Sequence, residues 1–122
     1  MEQKNVFGER IKECSCKPLT GFTRNGRCET GPGDISSHTV CVQVTKSFLE
    51  FSRSRGNDLS TPVPEYDFPG LSEGDKWCLC ANRWKEALHF GAAPRVFLRS
   101  TNLLALKTIA LEDLKKYAVD LC

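Results

Sequence analysis

Thr39-Val40-Cys41-Val42-Gln43-Val44 alternates along its length, so that Val40, Val42 and Val44 fall on one face of an extended chain. That period of two predicts a strand. Thr45 follows as an N-cap, Val44 and Leu49 stand at hydrophobic-staple spacing, and Arg53, Arg55 and Gly56 mark the end of a helix. Working outward, Lys76 to Cys80 reads as a second strand feeding a second helix, in which Trp84, Ala87, Leu88 and Gly91 recur at helical spacing before Gly91 and Pro94 close it. A third strand is expected over 95–99, a short helix capped by Thr101 through Leu106, and a brief strand over 107–110. Leu111, Leu114, Ala118 and Leu121 then form the apolar stripe of a last helix, supported by Glu112 and Lys116.

Toward the amino terminus, Asn25-Gly26 predicts a type I′ hairpin between strands at 20–24 and 27–30. Gly31-Pro32-Gly33-Asp34 breaks regular structure, as do the prolines and glycines of 57–75, a loop long enough to suggest a binding role. The expected fold is therefore α+β, a two-layer arrangement of a mixed or antiparallel sheet with helices mainly on one face, as a single globular domain over 1–122. A doubly wound parallel sheet is the alternative, disfavoured by the opening hairpin and the long loop.

The chain has 122 residues, 40% hydrophobic and 26% charged, with no apolar run near the roughly 20 residues that span a bilayer. Its net charge of +2 comes from 17 basic and 15 acidic residues, scattered rather than gathered into a phosphate-binding stripe. These features point away from membranes and nucleic acids. The amino-terminal residues show no secretory signal, and Cys122 stands last rather than fourth from the end as prenylation requires, so a cytoplasmic location is expected. In such a compartment the seven cysteines are expected to be free thiols or small core residues rather than a disulfide scaffold.

Cys78 and Cys80 are two apart, which in a strand sets both thiols on one face, with Trp77 and Leu79 on the other. A helix starting near Ala81 would put Cys80 at its positive end with Arg83 nearby, an environment that favours thiolate. His38, Cys41, Cys78 and Cys80 also make up a zinc-type ligand count, with Cys28 as a further candidate, although a strand that already includes His38 would turn His38 and Cys41 to opposite faces. No cofactor is demanded; zinc is the metal these residues suit. A nucleophile pair is a third arrangement, with His38 as base to Cys28, Cys41, Cys78 or Cys80 and Asp34, Asp58 or Asp75 orienting the ring. Gly31-Pro32-Gly33 lacks the ending of a phosphate loop and reads as a turn.

Asn5-Val6-Phe7-Gly8, Thr20-Gly21-Phe22, Thr30-Gly31-Pro32, His38-Thr39-Val40-Cys41, Gly56-Asn57-Asp58-Leu59-Ser60-Thr61-Pro62, Phe68-Pro69-Gly70-Leu71 and Trp77-Cys78-Leu79-Cys80 together resemble the family called domain of unknown function 2237. The resemblance runs from about Asn5 to Leu114. It implies a compact two-layer α/β fold and no established activity, and it points to Cys28, His38, Cys41, Asp58, Trp77, Cys78, Cys80, Arg83 and Trp84 without roles. Ser36 stands where the family pattern has glycine.

The functional expectation is a small-molecule site lined by Cys41, Cys78 and Cys80 beside the 57–75 loop, with His38 as a catalytic candidate and Asp58, Trp77 and Arg83 as ligand contacts. The alternative is a noncatalytic binding or structural module with buried packing cysteines and a protein partner, and the third is zinc-type metal binding.

Overall fold

The computed structural model describes residues 3–34 and 37–120; Ser36, Leu121 and Cys122 lie outside them. The predicted first strand forms β1, His38–Gln43, and runs through Val44 into α1, Lys46–Ser54. The Thr45 hydroxyl accepts from the Phe48 amide at 3.1 Å, the expected cap. β2, Lys76–Cys80, leads without a linking loop into α2, Ala81–His89, also as expected. β1 is the central strand, antiparallel to β2 on one side and on the other to β3, Arg95–Val96. α3, Leu111–Lys116, is the last helix among the described residues. The fold is α+β with an antiparallel sheet, and among the described residues no helix is long and apolar enough to cross a membrane.

Strand alternation separates two layers of packing. Val40, Val42, Trp77, Leu79 and Val96 join a main core with Phe48, Trp84 and Leu114 from the three helices. Trp84 is fully buried and its indole N–H donates to the Pro94 carbonyl at 3.2 Å, which satisfies its one polar atom. Cys41 and Cys78, directly paired across the strands, join a second cluster with Ile11, Cys14 and Cys28 of the amino-terminal segment and with Phe97. Helices thus cover one face and irregular chain the other.

That irregular chain corrects the sequence reading. No hairpin forms around Asn25-Gly26; residues 21–27 are turns and bends, with Arg24 rather than Asn25 at positive φ. Tertiary contacts outweigh the local signal, because Gly26 packs where a Cβ would come within 3.1 Å of the Cys16 sulfur and 3.2 Å of the Ser15 carbonyl oxygen. The third strand stops at Val96, because the Asp120 carboxylate takes the amides of Leu98 and Arg99 and turns the chain into a short 3₁₀ segment. Asn102 caps the next 3₁₀ turn in place of Thr101, no strand forms over 107–110, and α3 pairs Lys116 with Asp113 at 3.9 Å.

Candidate functional site

His38 and Cys80 meet because β1 begins with a bulge. Val40 pairs with Leu79, but the register shifts between His38 and Val40, so that His38 stands opposite Cys80. An extra residue in one strand re-aims the side chain beyond it. Cys80 is both the last residue of β2 and the N-cap of α2, and its side chain makes no capping hydrogen bond. The thiol is thereby left to the imidazole of its register partner across the strands, whose pKa it raises. The Ala81 amide donates to the Ser37 carbonyl at 3.0 Å, tying the start of α2 to the loop that carries His38. Ser37 itself holds φ 56°, the left-handed region a non-glycine residue rarely adopts, and its amide donates to the Asp34 carbonyl at 3.2 Å.

Asp34 completes the arrangement. Its Oδ1 lies 2.6 Å from His38 Nδ1, while Oδ2 accepts from the His38 amide at 2.9 Å and the Thr30 hydroxyl at 2.8 Å. The carboxylate side chain is 1% exposed and the imidazole 34%. Burial works against its ionisation, but the His38 amide, the Thr30 hydroxyl and the His38 ring together hold its pKa below the ordinary aspartate value. His38 is pushed up to about 9, chiefly by its hydrogen bond to Cys80; burial opposes the shift, and the charges of Cys80 and Asp34 and the Asp34 bond add to it. With Nδ1 on Asp34, Nε2 is the nitrogen that remains for the thiol.

A shell of amide side chains fixes this carboxylate from behind. The Gln3 side chain brackets Thr30, accepting its amide at 2.9 Å and donating to its carbonyl at 2.6 Å. Asn102, 1% exposed, donates to Gln3 at 2.6 Å and to the Cys28 carbonyl at 3.1 Å. Phe22 stacks on the His38 ring with centroids 6.3 Å apart. Beside this network runs an open groove of about 590 Å³, bordered by Thr30, Gly31, Ser37, Leu104 and Lys107.

The other expected site residues go elsewhere. Cys41 is bonded to Cys14 and Cys78 to Cys28, so the expected row of thiols at 41, 78 and 80 reduces to Cys80, and the expectation of free cysteines is corrected. Cys78 and Cys80 are not two thiols side by side, because the amino-terminal segment covers Cys78 and supplies its partner. Among the described residues the free cysteines are Cys16 and Cys80. Arg83 turns away from Cys80 to Glu86, 3.4 Å, and the Arg55 carbonyl, 3.2 Å. Asp58 braces its own loop through the amides of Ser60 and Thr61 and the Thr61 hydroxyl. Trp77 is buried against Phe68, with Arg24 over its ring. The zinc candidates separate likewise: His38 and Cys80 form one site, Cys28, Cys41 and Cys78 another with Cys14.

Sequence reasoning placed Asp34 among three aspartates that could orient the ring, and its i, i+4 spacing to His38 was the available signal. Gln3 and Asn102 carried none, since their contacts cross 27 to 99 residues of chain.

A family model described as "Uncharacterized protein conserved in bacteria (DUF2237)" matches residues 4–118. The chain belongs to this family. The matched span includes Asp34, His38 and Cys80 of this chain and its four paired cysteines. No curated protein matches the chain.

Proposed function

We propose that Cys80, His38 and Asp34 carry out covalent acyl transfer on a small molecule bearing an ester, thioester or amide. The observation that supports this reading is the imidazole set between a buried carboxylate and an uncapped thiol at a helix start. Cys80 is the nucleophile, His38 the general base and acid, and Asp34 the positioning residue that fixes the ring and its tautomer. The Cys80 sulfur, its proton on His38, attacks the carbonyl carbon. A thioester forms, the carbon–heteroatom bond breaks, and the leaving group departs with the proton from His38. Water or a second acceptor, deprotonated by His38, then attacks the thioester and returns the thiol. The amides of Asn82 and Arg83, in the first turn of α2, suit the oxyanion. A groove with the volume of small-molecule sites runs past Thr30 and Ser37, the chain neighbours of this network, rather than along Cys80 itself. The reading involves neither nucleic acid nor membrane.

Incubation with p-nitrophenyl and thiophenyl esters, followed by intact-mass and peptide mapping, tests this. A single acyl group on Cys80, absent in Cys80→Ser, is the expected result; no adduct, or an adduct on Cys16 alone, sinks it.

A second reading rests on the four buried, paired cysteines, which hold irregular chain against the sheet and suit a noncatalytic binding or structural module with a protein partner. Alkylation of Cys80 no faster than of exposed Cys16 would favour that module. We set the activity in the cytoplasm, where Cys80 stays reduced. Recovery of the protein outside that fraction on cell fractionation would reverse the assignment.

A further inference from the structure

Under the sheet face away from the helices, Cys14, Cys28, Cys41 and Cys78 are between 0% and 5% exposed and pack with Ile11 and Phe97. The Cys14–Cys41 and Cys28–Cys78 bonds are not separate staples. The sulfurs of Cys14, Cys28 and Cys78 lie within 4.8 Å of one another, and that of Cys41 is bonded to Cys14. Four sulfurs from four stretches of chain therefore share one buried spot. Cys41 and Cys78 are a facing pair on adjacent strands, which gives that spot a rigid floor, while Cys14 and Cys28 close it from the amino-terminal segment.

We propose that, when both disulfides are reduced, these four cysteines bind one zinc-class divalent ion as a tetrathiolate. Reduction by a dithiol or phosphine takes up four electrons and four protons, breaks both S–S bonds and leaves four thiols. Binding of the ion then forms four metal–sulfur bonds and releases four protons. Zinc–sulfur bonds of about 2.3 Å at tetrahedral angles set sulfurs about 3.8 Å apart, a spacing inside the span that Cys14, Cys28 and Cys78 already occupy, with Cys41 joining them once its bond to Cys14 opens. Thiolates select soft ions of this kind over magnesium or calcium. The ion also offsets charge that four bare thiolates could not carry in an apolar cluster. In a reducing compartment, where disulfides are rare, the ion would clamp the amino-terminal segment to the sheet in their place.

The test is titration of cobalt(II) into the full chain reduced with a phosphine under anaerobic conditions. One equivalent should bind with tetrahedral d–d bands and an intense sulfur-to-cobalt charge-transfer band, and zinc should displace it. Alkylation mapping of the loaded protein should find Cys14, Cys28, Cys41 and Cys78 protected and Cys16 and Cys80 labelled. Cys80→Ser and His38→Gln should bind the same single equivalent. Failure to bind cobalt, loss of binding in Cys80→Ser, or a protected set that includes Cys16, Cys80 or Cys122 overturns the proposal. Cys28→Ser should lose the tetrathiolate spectrum; should that variant fail to fold, the protection map of the unaltered chain still decides.

Discussion

Cys16 and Cys80 are both free, yet their surroundings differ in every respect that governs thiol chemistry. Cys16 is exposed in the amino-terminal coil, and its thiol donates to the Glu13 carboxylate at 3.2 Å. That bond, with minor help from burial and the Glu13 charge, raises its pKa above the ordinary value, against the pull of Arg27. Cys80 is half-buried at a strand-to-helix junction, beside an imidazole that a carboxylate holds in place. Exposure alone would rank Cys16 as the reactive thiol, whereas partner chemistry ranks Cys80 first.

The largest effect expected is on covalent trapping. Cys80→Ala should abolish acyl-adduct formation while Cys16→Ser leaves it intact, as read by intact mass; the reverse outcome would break the comparison. His38→Gln should retain the thiol but slow acylation about 10²–10⁴-fold, the usual contribution of a general base. Smaller still is the effect on the imidazole itself. Its pKa of about 9 should fall most in Cys80→Ala and less in Asp34→Asn, in the order of the contributions that raise it, as followed by ¹⁵N-edited NMR.

The same shift predicts a pH dependence of stability. Because the folded pKa of about 9 lies above the ordinary histidine value of 6.5, the stabilisation from His38 is fully present below 6.5 and disappears as pH rises through about 9. Denaturant melts of the wild type and His38→Gln should therefore differ most at the acidic end of that window and converge at the alkaline end. The smallest effect sharpens the contrast from the other side. Glu13→Gln removes the main cause of the raised Cys16 pKa, so alkylation of Cys16 at neutral pH should quicken a few-fold without approaching Cys80.

Local pattern made β1, α1, β2 and α2 readable, because each carries its own periodicity and punctuation: the valine alternation, the Thr45 cap, the strand that ends where the helix starts. It failed where long-range contacts govern. Asp120 shortens the third strand, and Gly26 is held by packing rather than by a hairpin. For the site, the residue types were legible, with His38, Cys80 and Asp34 all weighed as a nucleophile, a base and an orienting carboxylate. Their union depended on the β1 bulge, for which the alternating pattern gives no warning, since strict alternation predicts a different partner for His38. The cysteine pairing was illegible for a related reason. Its partners lie 27 and 50 residues apart, and spacing alone does not tell a covered sheet face from an open one.

The interleaved order of the crosslinks also bears on proteolysis. The Cys14–Cys41 loop and the Cys28–Cys78 loop overlap, so a single peptide-bond cut anywhere between Cys14 and Cys78 leaves both fragments covalently joined. A protease that enters the irregular 57–75 segment would put Asp34 and His38 on one polypeptide and Cys80 on the other, yet the oxidised protein would run as a single band until reductant was added.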